Sequence, residues 1–198
     1  MLIAEDQAMV RGALKALIGL EKDMTVVAEV ARGDEVVAAA LASNPDVALL
    51  DIEMPGADGI AAAAELCKRY PSCRSLILTT FGRPGFLRRA MESGASGFLL
   101  KDAPPHELAV AIRRTIKGER VVDPGLAAAA LAEGMSPLSE REREVLAATD
   151  RGATIPEIAG TLFLSEGTVR NHLSAAIQKL NARNRAEAAR LAGQKGWL

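Results

Sequence analysis

Short apolar runs alternate with amphipathic stretches over the first 118 residues of the chain. The runs have the length of buried strands, and the apolar positions between them recur at helical spacing. The predicted strands are Leu2 to Ala4, Met24 to Val30, Val47 to Leu50, Ser75 to Thr79 and Gly97 to Leu100. The predicted helices are Met9 to Leu20, Gly33 to Ser43, Gly59 to Tyr70, Pro84 to Ser93 and Pro105 to Lys117. Five consecutive β-then-α units predict an α/β fold, in which helices cover both faces of a parallel five-stranded sheet.

The pattern lapses between Gly118 and Pro137. Proline and glycine punctuate this segment, and its alanine run, Ala127 to Ala130, is too small to build a core. We therefore predict a first domain over residues 1–118, a linker over residues 119–136 with room for one short helix, and a second domain over residues 137–198.

The second domain is predicted to be all-α, with four helices. Their predicted bounds are Glu140 to Arg151, Ile155 to Leu162, Glu166 to Leu180, and Arg185 to Leu191 or slightly beyond. Ser139 to Glu142 and Thr154 to Glu157 both match the capping box, in which a hydroxyl caps a backbone N–H and a glutamate reaches back. Pro156 also favours the first turn of a helix. These signals indicate where the first two helices begin.

Composition narrows the class of protein. The 198 residues are 49% apolar, which is enough for two compact cores. Cys67 and Cys73 are the only cysteines, and no Cys/His cluster accompanies them, so we expect inert thiols rather than a disulfide framework or a zinc site. No apolar stretch reaches the roughly 18 residues of a spanning helix, and the N-terminus lacks a signal-type segment. We expect a soluble cytoplasmic protein without a membrane partner.

The net charge of −1 hides an uneven distribution. Residues 1–136 contain 15 Lys and Arg against 18 Asp and Glu, a net of −3, whereas residues 137–198 contain 9 against 7, a net of +2. From Ser165 onward the count is 6 against 2. A basic end on an otherwise acidic chain favours a polyanionic partner for the second domain.

Charged residues follow three of the predicted strands. Glu5 and Asp6 come after the first strand, Asp51 after the third and Lys101 after the fifth. Ligands bind at the carboxyl ends of the strands in an open α/β sheet, so we expect these side chains to share one edge. Like charges that converge there are costly unless a cation shares the site. The pattern predicts a metal-assisted phosphoryl-acceptor site.

A carboxylate can accept a phosphoryl group and form an acyl phosphate. Mg²⁺ relieves the repulsion between this nucleophile and an anionic donor, and it prefers oxygen ligands such as one or two carboxylates, phosphate and water. Asp6 and Asp51 could supply the carboxylates, with Glu5 beside Asp6 or acting through water. A backbone carbonyl near Glu53 could add one more ligand.

The phosphoryl oxygens of such a site also need donors. The compact ammonium of Lys101 suits a phosphate oxygen, and Thr79, at the end of the fourth strand, can offer a hydroxyl. Thr80 is the alternative hydroxyl, although the spacing to Lys101 favours Thr79. Taken alone, Asp51 could be a helix cap or a turn residue, as an isolated aspartate after a strand usually is. The combination of positions favours the acceptor role.

This arrangement resembles the receiver domain of two-component response regulators over about residues 1–118. The motifs that carry the resemblance are Glu5-Asp6, Asp51 followed by Met54-Pro55-Gly56 and Gly59, Thr79, and Phe98 three residues before Lys101. The resemblance implies a flavodoxin-like strand order of 2-1-3-4-5. It also implies roles for six residues: Asp51 as phospho-acceptor, Asp6 as main Mg²⁺ ligand with Glu5 assisting, Thr79 and Lys101 as switch and phosphate ligands, and Phe98 as the aromatic whose rotamer reports the state. The first strand is shorter than in most such receivers.

The helix predicted at Glu166 to Leu180 has two contrasting faces. Its apolar positions form one buried stripe at the spacing i, i+4, i+8 and i+11: Val169, Leu173, Ile177 and Leu180. The opposite side carries hydrogen-bonding side chains: Arg170, Asn171, Ser174 and Gln178. Arginine pairs with guanine and asparagine with adenine in a bidentate manner, so this face suits base edges. Each of these polar residues could instead lie on a solvated face.

Other residues of the second domain suit the phosphate backbone. The N-terminus of a helix favours phosphate through its free N–H groups and its dipole. Ser165 and Thr168 could add hydroxyl contacts at that end. Lys179, Arg183 and Arg185 are expected to meet phosphates rather than bases.

The second domain resembles the LuxR-type helix-turn-helix. The resemblance rests on the segments Pro137 to Leu146 and Leu164 to Leu173, with Ile158-Ala159 between them. It implies that the helix from Glu166 to Leu180 is the recognition helix, with three residues nearest the bases: Arg170, Asn171 and Ser174.

Together the two domains resemble the NarL/FixJ type of response regulator over nearly the entire chain. This resemblance implies a sensor histidine kinase that phosphorylates Asp51, a homodimer favoured by phosphorylation, and binding to half-sites of double-stranded DNA. Such a protein regulates transcription and is not an enzyme. Two alternatives stay open: a Mg²⁺-dependent phosphohydrolase with Asp51 as a transient nucleophile, and a DNA-binding regulator whose receiver no longer responds to phosphorylation.

Overall fold

The computed structural model describes residues 1–80, 82–133 and 136–198. The chain divides into two compact units: Met1–Gly82 with Leu87–Ala128, and Ala129–Leu198 with Arg83–Phe86. The first unit is built on a sheet and the second consists of helices. In the described parts of the chain, no helix combines the length and the apolarity that crossing a membrane requires.

Six strands form one parallel sheet among the described residues of the first unit. Their bounds are Leu2–Ala4 (β1), Ala28–Val30 (β2), Val47–Leu50 (β3), Arg74–Thr79 (β4), Gly97–Leu100 (β5) and Val121–Val122 (β6). Their spatial order is β2-β1-β3-β4-β5-β6, and all neighbours are parallel. The order predicted for the first five strands is confirmed. The predicted count of five strands is wrong, because β6 extends the sheet.

β6 lies in the segment predicted as a linker. Val121 pairs with Gly97 of β5, and its N–H donates to the Ser96 carbonyl over 3.1 Å. Consecutive β-branched residues favour extended backbone, but a strand of two residues is too short to produce a recognisable alternation. A helix of ten residues, Pro124–Glu133 (α6), follows. Gly134 and Met135 of the predicted linker lie outside the described residues.

Five further α-helices belong to the βα units. Their bounds are Ala8–Gly19 (α1), Val36–Ser43 (α2), Gly59–Arg69 (α3), Pro84–Glu92 (α4) and Pro105–Ile116 (α5). They agree with the predicted helices to within three residues at each end. At the start of α2, residues Gly33–Glu35 form a 3₁₀ turn instead of α-helix.

The central strands of the sheet, β1, β3 and β4, are buried on both faces. Ile3, Leu49 and Leu76 belong to one apolar cluster with residues of α1 and α5. Leu50 and Ile77 are also fully buried, and because successive strand residues point to opposite faces, they lie on the side covered by α2 and α3. Burial on both faces explains why the strands are continuous aliphatic runs rather than alternating ones.

Four helices make up the C-terminal part of the second unit. Their bounds are Glu140–Asp150 (α7), Ile155–Leu162 (α8), Glu166–Lys179 (α9) and Arg185–Gln194 (α10). Ser139 forms both hydrogen bonds of the predicted capping box with Glu142, at 3.3 and 2.7 Å. At the start of α8, the Thr154 N–H and hydroxyl both donate to Glu157, at 2.8 and 2.7 Å. Both predicted helix starts are confirmed.

The core of this unit contains the predicted stripe of α9. Val169 and Leu173 are buried, and Ile177 and Leu180 are partly buried against the same cluster. Trp197, the one tryptophan of the chain, also belongs to this cluster. Its fluorescence can therefore report the folding of this unit.

We expect Gly59→Ala to destabilise the first unit. A β-carbon at Gly59 would lie 1.9 Å from the Asp51 carbonyl oxygen, and the backbone there cannot rotate away. Overpacking of this kind costs about 1–3 kcal/mol in the free energy of unfolding, which urea titration followed by far-UV circular dichroism would measure. The control is Gly12→Ala in α1, which has nothing within 4 Å and should stabilise by about 0.5–1 kcal/mol. If Gly59→Ala and Gly12→Ala unfolded at the same urea concentration, the close approach of Gly59 to the Asp51 carbonyl would be contradicted.

Candidate functional site

Three carboxylates meet at the carboxyl edge of the sheet. Glu5 and Asp6 directly follow β1, and Asp51 directly follows β3. Each places a carboxylate oxygen within 4.8 Å of the others. Glu5 and Asp51 are buried, whereas Asp6 is exposed. The predicted convergence of these acids is therefore present in the fold.

Backbone hydrogen bonds of the sheet hold the acids in place. The Asp51 N–H donates to the Ala4 carbonyl over 2.9 Å, and the Glu5 N–H donates to the Val30 carbonyl over 3.1 Å. These bonds continue the parallel register one residue beyond the ends of β1 and β3. The acids thus lie on rigid backbone, although they follow the strands in sequence.

Lys101 enters this cluster from the end of β5. Its N–H donates to the Thr79 carbonyl over 2.8 Å, and its ammonium lies 2.6 Å from Glu5 Oε2 and 3.0 Å from Asp51 Oδ1. The Lys101 side chain is only 12% exposed. The ammonium of this mostly buried lysine therefore lies between two buried acids.

Burial raises the pKa of the Asp51 and Glu5 carboxyls, and hydrogen bonds from Lys101 only partly offset this effect. For the Lys101 ammonium, burial acts to lower the pKa, but its hydrogen bonds to Glu5 and Asp51 outweigh burial and raise it. Lys101 thus stabilises the charged form of each acid, whereas the charge of Asp51 opposes that of Glu5.

The loop after Asp51 packs closely against its neighbours. Gly56 has φ +83°, a backbone conformation that favours glycine. Asp58 caps α3 by accepting the Ala61 N–H over 2.7 Å, and it also lies 3.4 Å from the Arg89 guanidinium in α4. Sequence analysis missed the Asp58–Arg89 ion pair, because 31 residues separate its partners.

The remaining predicted residues of this site occupy different environments. Thr79 is buried at the end of β4, beside the backbone of Lys101, whereas Thr80 is exposed. Phe98 is fully buried in β5. Glu53 is exposed, and among the described residues the acid cluster does not include its carboxylate. The roles assigned to these four residues stay predictions.

The acid cluster fits a small divalent cation. Three carboxylates offer hard oxygen donors, and these are the ligands that Mg²⁺ prefers. Asp6, the exposed member, leaves the cluster open to solvent on one side. Glu5, Asp6 and Asp51 are therefore the residues of this edge that could hold the ion.

The face of the second unit that is predicted to contact DNA bases lies along α9. We call it the reading face, and it carries Arg170, Asn171 and Ser174. Ser165 caps this helix by accepting the Thr168 N–H over 3.0 Å, and the two hydroxyls lie 2.8 Å apart. Arg170, Asn171 and Ser174 are all exposed. The Arg170 guanidinium lies 2.8 Å from Glu166, one turn earlier on the helix. This exposed, hydrogen-bonding face opposes the buried stripe of α9, as predicted from the helical spacing.

The basic residues predicted to meet phosphate differ in their surroundings. Arg183 is exposed and pairs with Glu187 at 3.0 Å, which lowers the pKa of Glu187 to about 2. Arg185 is exposed at the start of α10. Lys179 is also exposed, but its ammonium donates to both carboxylate oxygens of the buried Glu142, at 2.9 and 2.8 Å. Sequence analysis missed this pair, which links α9 to α7.

Two known families match the chain. Residues 1–113 match the response regulator receiver domain, and residues 136–192 match the bacterial regulatory proteins of the luxR family. The chain therefore belongs to the response regulators that join a receiver domain to a LuxR-type helix-turn-helix DNA-binding domain. The resemblance to the NarL/FixJ type is confirmed.

Relatives cover the whole chain. The uncharacterized transcriptional regulatory protein YvfU of Bacillus subtilis (strain 168) is 48% identical over 198 residues, which span 100% of this chain and 98% of YvfU. The transcriptional regulatory protein DesR of the same strain is 45% identical over 196 residues, which span 99% of this chain and 97% of DesR. The chain is thus a member of a family of transcriptional regulators.

Solved structures show the same two-part fold. The response regulator ChrA of a heme-sensing two-component system is 34% identical, with a TM-score of 0.58 over 100% of this chain and 97% of ChrA. RcsB from Salmonella enterica serovar Typhimurium, bound to the promoter rprA in the presence of the phosphomimetic BeF3-, has a TM-score of 0.73 at 23% identity, over 96% of this chain and 95% of RcsB. The likeness to RcsB concerns the fold alone.

We expect the stability of the second unit to fall at acidic pH because of Glu142. Burial opposes ionisation of this carboxyl, but hydrogen bonds from Lys179 and Ser139 outweigh burial and lower its pKa below the ordinary value of 4.5. A group with a lowered folded pKa contributes stability above its unfolded pKa and loses it as pH falls through the folded value. Thermal unfolding followed by Trp197 fluorescence, at about pH 7 and about pH 3, measures this loss. The melting temperature of Glu142→Gln should fall less between these two pH values than that of the wild type. If both fell equally, ionisation of Glu142 would not be the cause of the loss of stability.

Proposed function

We propose that the receiver domain is a phosphoryl-accepting switch with Asp51 as its acceptor. A sensor histidine kinase supplies the group as phosphohistidine. An Asp51 oxygen forms a bond to phosphorus while the P–N bond breaks, and the imidazole leaves with the electron pair, so that an acyl phosphate results. The observation that carries this proposal is the meeting of Glu5, Asp6, Asp51 and Lys101 at one edge of the sheet.

We propose that Glu5, Asp6 and Asp51, with a backbone carbonyl near Glu53, hold Mg²⁺, which neutralises charge on the phosphoryl oxygens when it is bound. Their oxygen donors and their close spacing support this assignment. Lys101 already lies 3.0 Å from Asp51 Oδ1, so a phosphoryl group on Asp51 would lie within reach of its ammonium.

Thr79 and Phe98 are the proposed switch residues. Thr79 lies at the end of the strand next to Lys101 and would direct its hydroxyl towards a phosphoryl oxygen, in preference to Thr80. Phe98 lies in the adjacent strand and is fully buried, so a change of its rotamer would alter the packing beneath the domain surface. A change of surface of this kind would favour a homodimer when Asp51 is phosphorylated.

We propose that α9 is the recognition helix that enters the major groove. Its exposed face would bring Arg170, Asn171 and Ser174 to base edges. The proposed phosphate contacts are Ser165, Thr168, Arg183 and Arg185. A homodimer presents two such helices, so it would read two half-sites of double-stranded DNA about one helical turn apart.

The proposal implies a cytoplasmic regulator rather than an enzyme. A Mg²⁺-dependent phosphohydrolase would use the same carboxylates, but it would give no function to the exposed face of α9. The membership of the chain in a family of transcriptional regulators favours the switch.

We expect Asp51→Asn to abolish phosphoryl transfer and the DNA-binding response together. An amide cannot form the acyl phosphate, so acetyl phosphate with Mg²⁺ should modify the wild type and leave the variant unmodified by intact-protein mass spectrometry. Treatment with acetyl phosphate and Mg²⁺ should tighten the binding of the wild type to a duplex that the wild type has selected. The same treatment should leave the binding of Asp51→Asn unchanged. Fluorescence anisotropy measures this change.

The same experiment separates the alternatives. A wild type whose affinity for DNA is equal before and after modification would refute the switch and favour a receiver that no longer responds. Continued hydrolysis of acetyl phosphate over many turnovers would favour the phosphohydrolase. The number of acetyl phosphate molecules consumed per protein molecule therefore distinguishes the switch from the phosphohydrolase.

We expect Arg170→Ala to relax base preference at one position of the half-site, at a cost of about 1–3 kcal/mol. Competition binding against duplexes with single base changes measures this preference. Arg185→Ala is the comparison, because loss of a phosphate contact should weaken binding to all sequences and reduce the salt slope by about 1. If Arg170→Ala weakened all duplexes equally, Arg170 would not belong to the reading face.

A further inference from the structure

Glu142 connects two helices of the DNA-binding domain. It lies in the first turn of α7, and only 5% of its surface is exposed. Its oxygens accept hydrogen bonds from the ammonium of Lys179, the last residue of α9, at 2.9 and 2.8 Å. The same carboxylate accepts the Ser139 N–H over 2.7 Å. One side chain thus joins the beginning of α7 to the end of α9.

This connection is directional, whereas the apolar contacts of α9 with the core are not. Val169, Leu173 and Ala176 bury the apolar side of the helix in the core, and the hydrophobic effect that drives this burial has no preferred direction. Two hydrogen bonds from one ammonium to one carboxylate restrict such movements. The position of Lys179 at the C-terminus of α9 also suits the helix dipole.

We propose that Glu142 and Lys179 are a positioning pair for the recognition helix, and that Lys179 acts through this pair rather than through a phosphate of DNA. The inference rests on the proposed assignment of α9 as the recognition helix. By fixing the end of α9 against α7, the pair sets the orientation at which Arg170 and Asn171 meet base edges. The Lys179 side chain is 40% exposed, but its ammonium points to the buried carboxylate of Glu142.

The two possible roles of Lys179 predict opposite effects when the charge of Glu142 is removed. If Lys179 contacted phosphate, removal of the competing carboxylate would strengthen DNA binding. If the pair positions α9, the same change weakens binding to a preferred sequence. Salt dependence gives a second distinction, because one phosphate contact contributes about 0.9 to the slope of log K against log salt. A positioning residue contributes nothing to that slope.

The test uses the full-length chain with Glu142→Gln, Lys179→Met and the double variant. Glutamine can still accept the Ser139 N–H in a capping box, so Glu142→Gln removes the ion pair and keeps the helix start. Methionine keeps the apolar stem of Lys179. Matched controls are Glu144→Gln and Arg141→Met, which remove the same charges from an exposed pair on α7.

Affinity is measured by fluorescence anisotropy at several salt concentrations. The probes are a duplex selected from random-sequence DNA by the wild type and an unselected random duplex. Trp197 fluorescence identifies a temperature at which every variant is folded. Binding is compared at that temperature only, so a loss of affinity does not reflect a loss of folded protein.

We expect each single variant to bind the selected duplex about tenfold more weakly, while binding to the random duplex and the salt slope stay unchanged. The double variant should be no weaker than the weaker single variant, because both changes break one interaction. The two control variants should bind like the wild type. Lys179→Arg keeps a cation at this position and should retain most of the preference for the selected duplex over the random duplex.

Three results would overturn the proposal. Tighter binding by Glu142→Gln, with a slope reduced by about 0.9 in Lys179→Met, would assign Lys179 to phosphate. If the folded single variants still preferred the selected duplex over the random duplex as strongly as the wild type does, the pair would not position α9. A Lys179→Arg variant as impaired as Lys179→Met would exclude charge pairing as the cause. A wild type that selects no duplex would instead contradict the assignment of α9 itself, and the positioning role would fail with it.

Discussion

The first unit depends on the balance of buried charge at one edge of its sheet. Parallel strands end side by side, so acids that follow β1 and β3 are brought together and must lose much of their hydration. Lys101, from the end of β5, lies between Glu5 and Asp51 and compensates both. Any group that adds negative charge to Asp51 changes this balance. The interaction that stabilises the resting domain is thus the one that a phosphoryl group would alter.

The rest of the first unit supports that edge. Aliphatic strands buried on both faces hold the strand ends in register, and Gly59 lets α3 begin directly against the Asp51 carbonyl. The loop that carries Asp51 therefore has little room to move. In such a close-packed setting, a local change of charge is expected to produce a discrete rearrangement instead of a gradual one.

The second unit contains an ion pair between a buried carboxylate, Glu142, and an exposed lysine, Lys179. The buried Glu142 binds Lys179, an exposed residue at the end of α9, and so joins that helix to α7. In the core of this unit, small residues such as Ala176, Ala188 and Ala192 let the helices pack closely. The proposed positioning pair and the proposed DNA contacts are thus different residues.

Periodicity and motif spacing in the sequence were sufficient to predict the βα units, the order of the first five strands, the helix starts at Ser139 and Thr154, and the acids that meet at the sheet edge. These features depend on local patterns, and parallel topology then determines which strand ends are neighbours. Only the tertiary structure revealed β6, whose two residues carry no periodic signal, and the Asp58–Arg89 and Glu142–Lys179 pairs. Partners in these pairs are 31 and 37 residues apart. Nothing in the local sequence specifies such a pairing, because it arises only when packing brings distant helices together.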